Sequence, residues 1–488
     1  MRVLASLTDK EGSDVFLKSI NKFVDEVYAS EGTKKFLESS GISCKSINEL
    51  TGFDQMLGGR VKTLHPAIFA GILAKDSGEQ MEEIKAAGIK PIDLVLCNLY
   101  DFQSYKNGND EEKSEHIDIG GVSLIRAAAK NWERVTILKN KEDYSIAQKE
   151  LSETGTISMD LRRKMAVEAF RYTSKYDLQI LEGLSGKNTK FLELSNGKRL
   201  RYGENPSQVG ILYEKNEFGH MDVFHGKEMS YNNYVDSSSA IETVLEFSKP
   251  FAVVIKHNTP CGSATGKNLG EALKLAINAD RESAFGSVIC INGIADESVV
   301  ASMGDLFVEI LIAKEFTEGA LNKLVKKKNL RLIRYSGKGP ESNFKTIFNG
   351  VLEQSNMNTS LDNISTLNEG EITFSNDDID FAWKIVAHCR SNAIVLVKNG
   401  VSVGVGAGQT SRVEATRIAC KKAGENAKGS LMASDAFLPF SDNVQVAAEY
   451  GIKGIVEPGG SIRDMDVIEE CKKSGISLYF TGKRVFLH

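Results

Sequence analysis

The chain has 488 residues, 41% of them hydrophobic and 26% charged, a balance that supports buried cores and excludes a disordered or fibrous chain. At about 150 residues per domain the length predicts about three domains, or two of which one is divided, and excludes a lone small binding module. Sixty Lys and Arg against 65 Asp and Glu leave a net charge of −5, so no global basic field exists to hold nucleic acid or an anionic membrane, and any anionic ligand must be held locally.

The N-terminal run RVLASL ends at Thr8-Asp9-Lys10-Glu11, where Thr8 and Glu11 have capping-box spacing, which predicts a strand, a turn and a helix. The run is shorter than a secretory h-region, and the apolar stretch 391–408 is interrupted by Lys398, so the expectation is a cytoplasmic chain without a membrane span. Next come FVDEVYAS with a helix from Glu31-Gly32-Thr33, then the strand IDLVLCNLY at 92–100. Strands alternating with helices predict a mostly parallel α/β sheet with ligands at the strands' carboxyl ends. A helix over about 158–183 precedes a polar, glycine-punctuated connection, placing a domain boundary near residue 193. Beyond it, FAVVIKH and NLGEALKLAINA continue the α/β pattern. The Asn-, Ser- and Thr-rich stretch 352–376 predicts a loop between halves of about 200–350 and 376–488. No short repeat is visible, and the seven cysteines, scattered singly, predict reduced thiols.

Three familiar signatures fail at the residue their chemistry requires. Gly404, Gly406 and Gly408 suggest a dinucleotide loop, but Gln409 stands at its sixth position. Gly266-Lys267 lacks the first P-loop glycine, replaced by Cys261, and the magnesium-binding hydroxyl, replaced by Asn268. Pro260-Cys261 has Ala264 where a zinc deaminase needs its second cysteine, so no catalytic metal is expected.

Candidate donors do gather on turns. Lys10, Ser30, Thr33, Arg60, Lys62 and Thr63 combine three cations with three hydroxyls, which suits a phosphate monoester, although a single such lysine is more often a solvated surface charge. Tyr100 in CNLY, Asp118 in HIDIGG, and Lys130 with Asn131 in RAAAKNW add a phenol, an acid, a base and an amide. In the second half, Lys256-His257 leave an apolar strand together. An ammonium beside His257 keeps the imidazole neutral and able to accept a proton, while Lys256 can steady an oxyanion; a structural histidine beside a surface lysine fits the same spacing. Arg201-Tyr202, Asn233, Arg412, Arg484 and Phe486 supply arginines and aromatics suited to a flat anionic ligand.

GGRVKTLHP, CNLY, IDIGG, RAAAKN, LRYGENP, SYNN, KHNTPCG, SAFG, SNAI, GAGQTSR, SDAFLPFSDN and PGGSIRD, in this order, resemble the bifunctional purine-biosynthesis family AICAR transformylase/IMP cyclohydrolase over nearly the whole chain. The resemblance implies an N-terminal cyclohydrolase domain, 1–193, of methylglyoxal-synthase-like α/β fold. It implies a transformylase domain, 194–488, built of two cytidine-deaminase-like halves without zinc. By the same resemblance, Lys10, Ser30, Thr33, Arg60, Lys62 and Thr63 fall on the loops for nucleotide phosphate and ring closure, and Tyr100, Asp118 and Lys130 surround the closing ring. His257 takes the proton of the AICAR amine and Lys256 steadies the oxyanion. Arg201, Tyr202, Asn233, Arg412, Phe437, Arg484 and Phe486 match nucleotide positions, with Asn392 and Asp442 on the folate side. The cosubstrate implied is 10-formyltetrahydrofolate, the nucleotides are AICAR, formyl-AICAR and IMP, and the assembly is a homodimer. Four departures from the family pattern, Glu31, Phe69, Ser207 and Ser441, bear on rate and affinity. Glu31 and Phe69 motivate the alternative of a transformylase whose N-terminal domain only binds nucleotide or supports the fold.

Overall fold

The computed structural model describes residues 1–488 except 55, 58–59, 186–188 and 215–217. Two compact units divide it, Met1–Glu193 and Leu194–His488. Among the described residues no helix is long and apolar enough to cross a membrane.

The first unit is a five-stranded parallel sheet in the spatial order Lys45–Ser46, Glu26–Ala29, Arg2–Ser6, Leu94–Cys97, Thr136–Leu138. Its central strands are buried apolar runs because helices cover both faces. The chain leaves Arg2–Ser6 toward one side and later returns to the other at Leu94–Cys97, so the switch in strand order lies between these two strands, where open α/β sheets bind ligands. Asn98 closes that point: its carboxamide oxygen accepts the N–H groups of Thr8 and Asp9 at 2.7 and 3.2 Å, and its nitrogen donates to Asp9 O and Lys139 O at 2.7 and 3.2 Å. The expected capping box at Thr8 and Glu11 does not form. The helix starts at Ser13, behind Gly12 at φ 74°, and the Glu11 carboxylate pairs instead with Lys141 at 2.7 Å.

The second unit holds a twelve-stranded sheet. At its centre a single registered pair, Ala264 against Val401, joins two halves, reinforced by Ser263 N–H to Ser402 Oγ at 2.8 Å. From that seam each half repeats one pattern outward. In the first half the order is Thr259–Thr265, Phe251–Lys256, Ser287–Ile291, Val308–Ala313, Arg331–Ser336, His220–His225; in the second it is Val401–Gly406, Ile394–Lys398, Leu431–Ser434, Gly454–Glu457, Ser477–Phe480, Ser365–Asn368. The pairings run antiparallel, antiparallel, parallel, parallel, antiparallel in both. One face shares a core across both halves under the helices Tyr231–Leu245 and Asn376–Ala387, with Phe251 stacked on Phe247 at 3.9 Å and Phe381 against both rings. The other face carries a separate core for each half, because alternate strand residues point to opposite sides.

Two glycines of the failed dinucleotide motif belong to this packing. A Cβ at Gly404 or Gly406 would lie 2.2 or 2.0 Å from carbonyls of the helix Arg412–Ala423, and one at Gly262 would lie 2.1 Å from Ala276 O in the other half. Close strand-to-helix approach, not a pyrophosphate, requires them. The stretch 352–376, expected as loop, contains the strand Ser365–Asn368 and the end of Gly350–Ser355, which pairs with Ser342–Ile347. These strands are exposed or at a sheet edge, so they need no apolar pattern.

Candidate functional site

In the first unit the candidates gather beyond the carboxyl ends of Arg2–Ser6 and Leu94–Cys97. Lys62 Nζ lies 3.5 Å from the Tyr100 hydroxyl and 6.0 Å from its ring centre. Asp118 accepts the Gly121 N–H at 2.6 Å at the start of the helix Gly120–Lys130. Burial pushes the Asp118 carboxyl above its ordinary value, opposed by that N–H and by the charge of Lys62. Thr63 is buried against Gly120, where a Cβ would lie 2.4 Å from its hydroxyl. Arg60 stands on the exposed rim in an ion pair with Glu115, and Lys10 Nζ folds back on Thr8 O at 3.0 Å. The neighbouring motif residues Gly58 and Gly59 lie outside the described residues.

Ser30 precedes the helix Glu31–Ser39 without capping it by its side chain, and Glu31 is exposed in the first turn. The hydroxyl of Thr33 is engaged inside the protein. It accepts Leu7 N–H at 2.9 Å and Ser30 Oγ–H at 3.1 Å, and it faces Leu7 O at 3.2 Å. Thr33 therefore ties this turn to the first strand, and with the Ser30 hydroxyl donated to Thr33, the donors the turn presents are the backbone N–H groups of the helix's first turn.

The structure does not bring Lys130 to this group. It ends the helix that Gly120 begins, exposed and about 15 Å further along by helical rise, because a helix following a strand's carboxyl end runs back along the sheet. Asn131 is likewise committed elsewhere: its amide donates to Ile72 O and Ala74 O at 2.7 and 2.9 Å. Two positioning residues escaped the sequence reading. Tyr172 and Tyr176, four apart on the helix Met159–Ser185, place their hydroxyls against the N–H groups of Leu99 and Asp118 at 3.1 and 2.7 Å. That i, i+4 spacing was the available signal.

In the second unit, Lys256 ends its strand with Nζ donating to Phe285 O and Gly286 O at 2.8 and 3.0 Å, which leaves one ammonium proton. His257 is exposed at the hairpin turn that follows. Asn233 belongs to the capping box of Tyr231–Leu245 with Ser230, and its amide donates to Glu309 at 3.2 Å. Arg201, exposed, lies 5.2 Å from the Tyr202 ring, and both side chains act electrostatically on Arg331, which faces Glu309 at 3.8 Å.

The remaining candidates collect in the second half. Arg412 is buried, paired with Asp435, and donates to Ser434 Oγ at 3.0 Å and Asn392 Oδ1 at 2.7 Å. The Ser391 hydroxyl donates to the other Asp435 oxygen at 2.5 Å. Phe486 lies between two guanidinium groups, 5.9 Å from Arg412 and 4.6 Å from Arg484. Phe437 is partly exposed, and Asp442 opens the helix Asp442–Glu449 with Oδ1 accepting from Asn443 at 2.7 Å. The Ala264–Val401 register puts this group and the His257 turn at the same end of the sheet. All seven cysteines are buried and free, and no metal-binding cluster occurs among the described residues.

The profile of the AICARFT/IMPCHase bienzyme matches residues 128–422, and that of the MGS-like domain matches residues 15–123. Three curated relatives, each called bifunctional purine biosynthesis protein PurH, align over the whole chain. Those of Persephonella marina and Bacillus subtilis are 40% identical with 99% of their own length covered, and that of Aquifex aeolicus is 42% identical with 100% covered. The chain belongs to the AICARFT/IMPCHase bienzyme family. As a member it is a bifunctional enzyme of purine biosynthesis, with AICAR formyltransferase and IMP cyclohydrolase activities and an MGS-like N-terminal domain. The family uses a folate cosubstrate for formyl transfer.

Proposed function

We propose that residues 1–193 carry the cyclohydrolase and residues 194–488 the transformylase, with 10-formyltetrahydrofolate as formyl donor. The observation that carries the reading is the tip of the Phe251–Thr265 hairpin, where an ammonium anchored on two carbonyls precedes an exposed imidazole. The AICAR amine, weakened by conjugation, attacks the formyl carbon and loses a proton to His257. The remaining Lys256 proton hydrogen-bonds the developing oxyanion, and as the carbonyl re-forms the folate nitrogen leaves with the proton that His257 took from the amine. Arg201, Tyr202, Arg412, Arg484, Phe437 and Phe486 hold the nucleotide, Asn233 orders the helix behind it, and Asn392 and Asp442 face the folate.

In ring closure the carboxamide nitrogen of formyl-AICAR attacks the formyl carbon and water departs. Lys62 and Tyr100 stabilise the oxygen; Asp118, whose raised pKa suits proton exchange, serves the amide. Ser30, Arg60, Lys10 and backbone N–H groups at Glu31–Thr33 receive the phosphate, with Glu31 weakening that attraction.

The working assembly is a homodimer in the cytoplasm. The exposed Phe344, Ile347, Phe348, Val351 and Leu352 on the Ser342–Ser355 hairpin support a subunit contact, and the unpaired cysteines support a reducing compartment.

The test supplies the purified enzyme with AICAR and donor, and separately with formyl-AICAR. We expect IMP from both. His257→Ala should lower formyl transfer by about 100- to 10,000-fold and leave IMP formation from formyl-AICAR intact. Accumulation of formyl-AICAR by the unaltered chain would instead favour the transformylase-only alternative.

A further inference from the structure

His257 and Asn258 form the two-residue turn of their hairpin, both in the left-handed region at φ 52° and 58°. Such turns favour Asn-Gly, and a histidine there holds a backbone conformation that its Cβ disfavours. The second half of the unit makes the corresponding turn with Asn399 and Gly400, at φ 53° and 70°, residue types that accept this backbone cheaply. Of two topologically matched turns, the one carrying the proposed base is the more strained, with two non-glycine residues in the left-handed region against one. Strain of this kind persists where surrounding groups over-determine it.

Those groups come from the helix Tyr231–Leu245. Asp236 Oδ1 accepts the Asn258 backbone N–H at 2.7 Å. With the Asn258 carboxamide turned so that its nitrogen faces the helix, it also donates to Asp236 Oδ1 at 3.1 Å and to Val235 O at 3.2 Å. The Asn399–Gly400 turn is held differently, by the Thr265 N–H and hydroxyl on Gly400 O at 2.9 and 3.4 Å, with no carboxylate bonded to it among the described residues.

We propose that Asp236 is a positioning residue for formyl transfer, its carboxylate locking the Asn258 half of the turn and so fixing where His257 presents its imidazole. The inference rests on His257 being the proton acceptor. The charged groups facing Asp236 are Lys256 and His257 from the hairpin and Glu309 from the strand Val308–Ala313, the latter facing Arg331 in turn. Burial raises the Asp236 pKa, and the Asn258 N–H and the two hairpin cations oppose that rise.

The experiment measures both activities of the full chain for Asp236→Ala, Asp236→Asn and His257→Ala. Ala removes acceptor and charge; Asn keeps an acceptor oxygen and removes only the charge. We expect Asp236→Ala to lower kcat for formyl transfer by about 10- to 100-fold, with KM for AICAR within about twofold and IMP formation from formyl-AICAR unchanged. Asp236→Asn, which keeps an oxygen to accept the Asn258 N–H, should restore kcat to within about threefold of the unaltered enzyme, with KM for AICAR unchanged. Wild-type transfer by Asp236→Ala, with His257→Ala inactive, overturns the proposal and leaves the base assignment standing. Undiminished transfer by His257→Ala overturns the base assignment itself. Equal kcat losses in both Asp236 variants, or a rise in KM that matches the fall in kcat, reduce Asp236 to a fold support and also overturn it. If the Ala variant does not fold, the Asn variant decides alone, and a folded Asn variant that loses more than about 10-fold in kcat is the refuting result.

Discussion

Lys62 lies against the phenol of Tyr100, and its charge opposes the rise that burial gives the Asp118 pKa. Removing it deprives the closing ring of an oxygen partner and lets the Asp118 pKa rise further. Lys62→Ala should therefore lower cyclisation of supplied formyl-AICAR by about 10- to 1,000-fold while leaving formyl transfer at its normal rate; an unchanged cyclisation rate would remove Lys62 from the site. A second residue tests burial without substrate. Glu457 is fully buried, accepts Leu438 N–H on one oxygen at 2.5 Å, and has no partner for the other among the described residues. Burial pushes its carboxyl up to about 8. The unfolded chain ionises near about 4.3, so between these values unfolding releases a proton and stability falls as pH rises. Glu457→Gln keeps the neutral shape and does not titrate. Its melting temperature should match the unaltered enzyme near pH 5 and exceed it by about 3 °C or more near pH 8; a difference independent of pH would refute the protonated state. At this scale the motifs name candidate side chains but not how they are engaged. Thr33 and Asn233 are consumed by internal hydrogen bonds that arise only when distant segments meet.

The helix Gly120–Lys130 shows what an element adds to its residues. Gly-to-Ala changes inside helices ordinarily stabilise by about 0.5–1 kcal/mol. Here a Cβ at Gly121 would lie 2.6 Å from Asp118 Oδ2 and 2.9 Å from the Leu99 side chain, distances that force the carboxylate to move. Gly121→Ala should accordingly lower cyclisation at least about 10-fold and spare formyl transfer. Retained cyclisation would mean that Asp118 does not need its observed position. The same helix carries Lys130 away from Asp118: twelve residues separate them in sequence, and only the helix direction reveals that they diverge. The long helix expected at 158–183 is found at Met159–Ser185 because its apolar period is intrinsic to the sequence, whereas the exposed strands within 342–368 follow no such period.

At the scale of the whole molecule, the second unit's two halves share one strand order and one set of pairing directions, a repeat the sequence does not display. Backbone pairing needs only suitable burial at each position, so residue identities diverge while topology stays. The residues proposed for formyl transfer divide between the halves as well. The first carries Lys256, His257, Arg201 and Tyr202, linked through Asp236, Glu309 and Arg331 within one chain; the second carries Arg412, Arg484, Phe486 and Asn392. A dimer can complete each site with one group from each subunit, which makes mixing experiments decisive. His257→Ala and Arg484→Ala should each be nearly inactive in formyl transfer as homodimers. In a mixed dimer with shared sites, one site collects both substitutions and the other collects neither. Random reassortment makes about half of the dimers mixed, each with one intact site of two, so activity should return to about one quarter of the unaltered enzyme. If both groups act within one chain, every site in the mixture carries one substitution. No activity returning in dimers shown to be mixed would therefore place the whole transformylase site inside a single subunit.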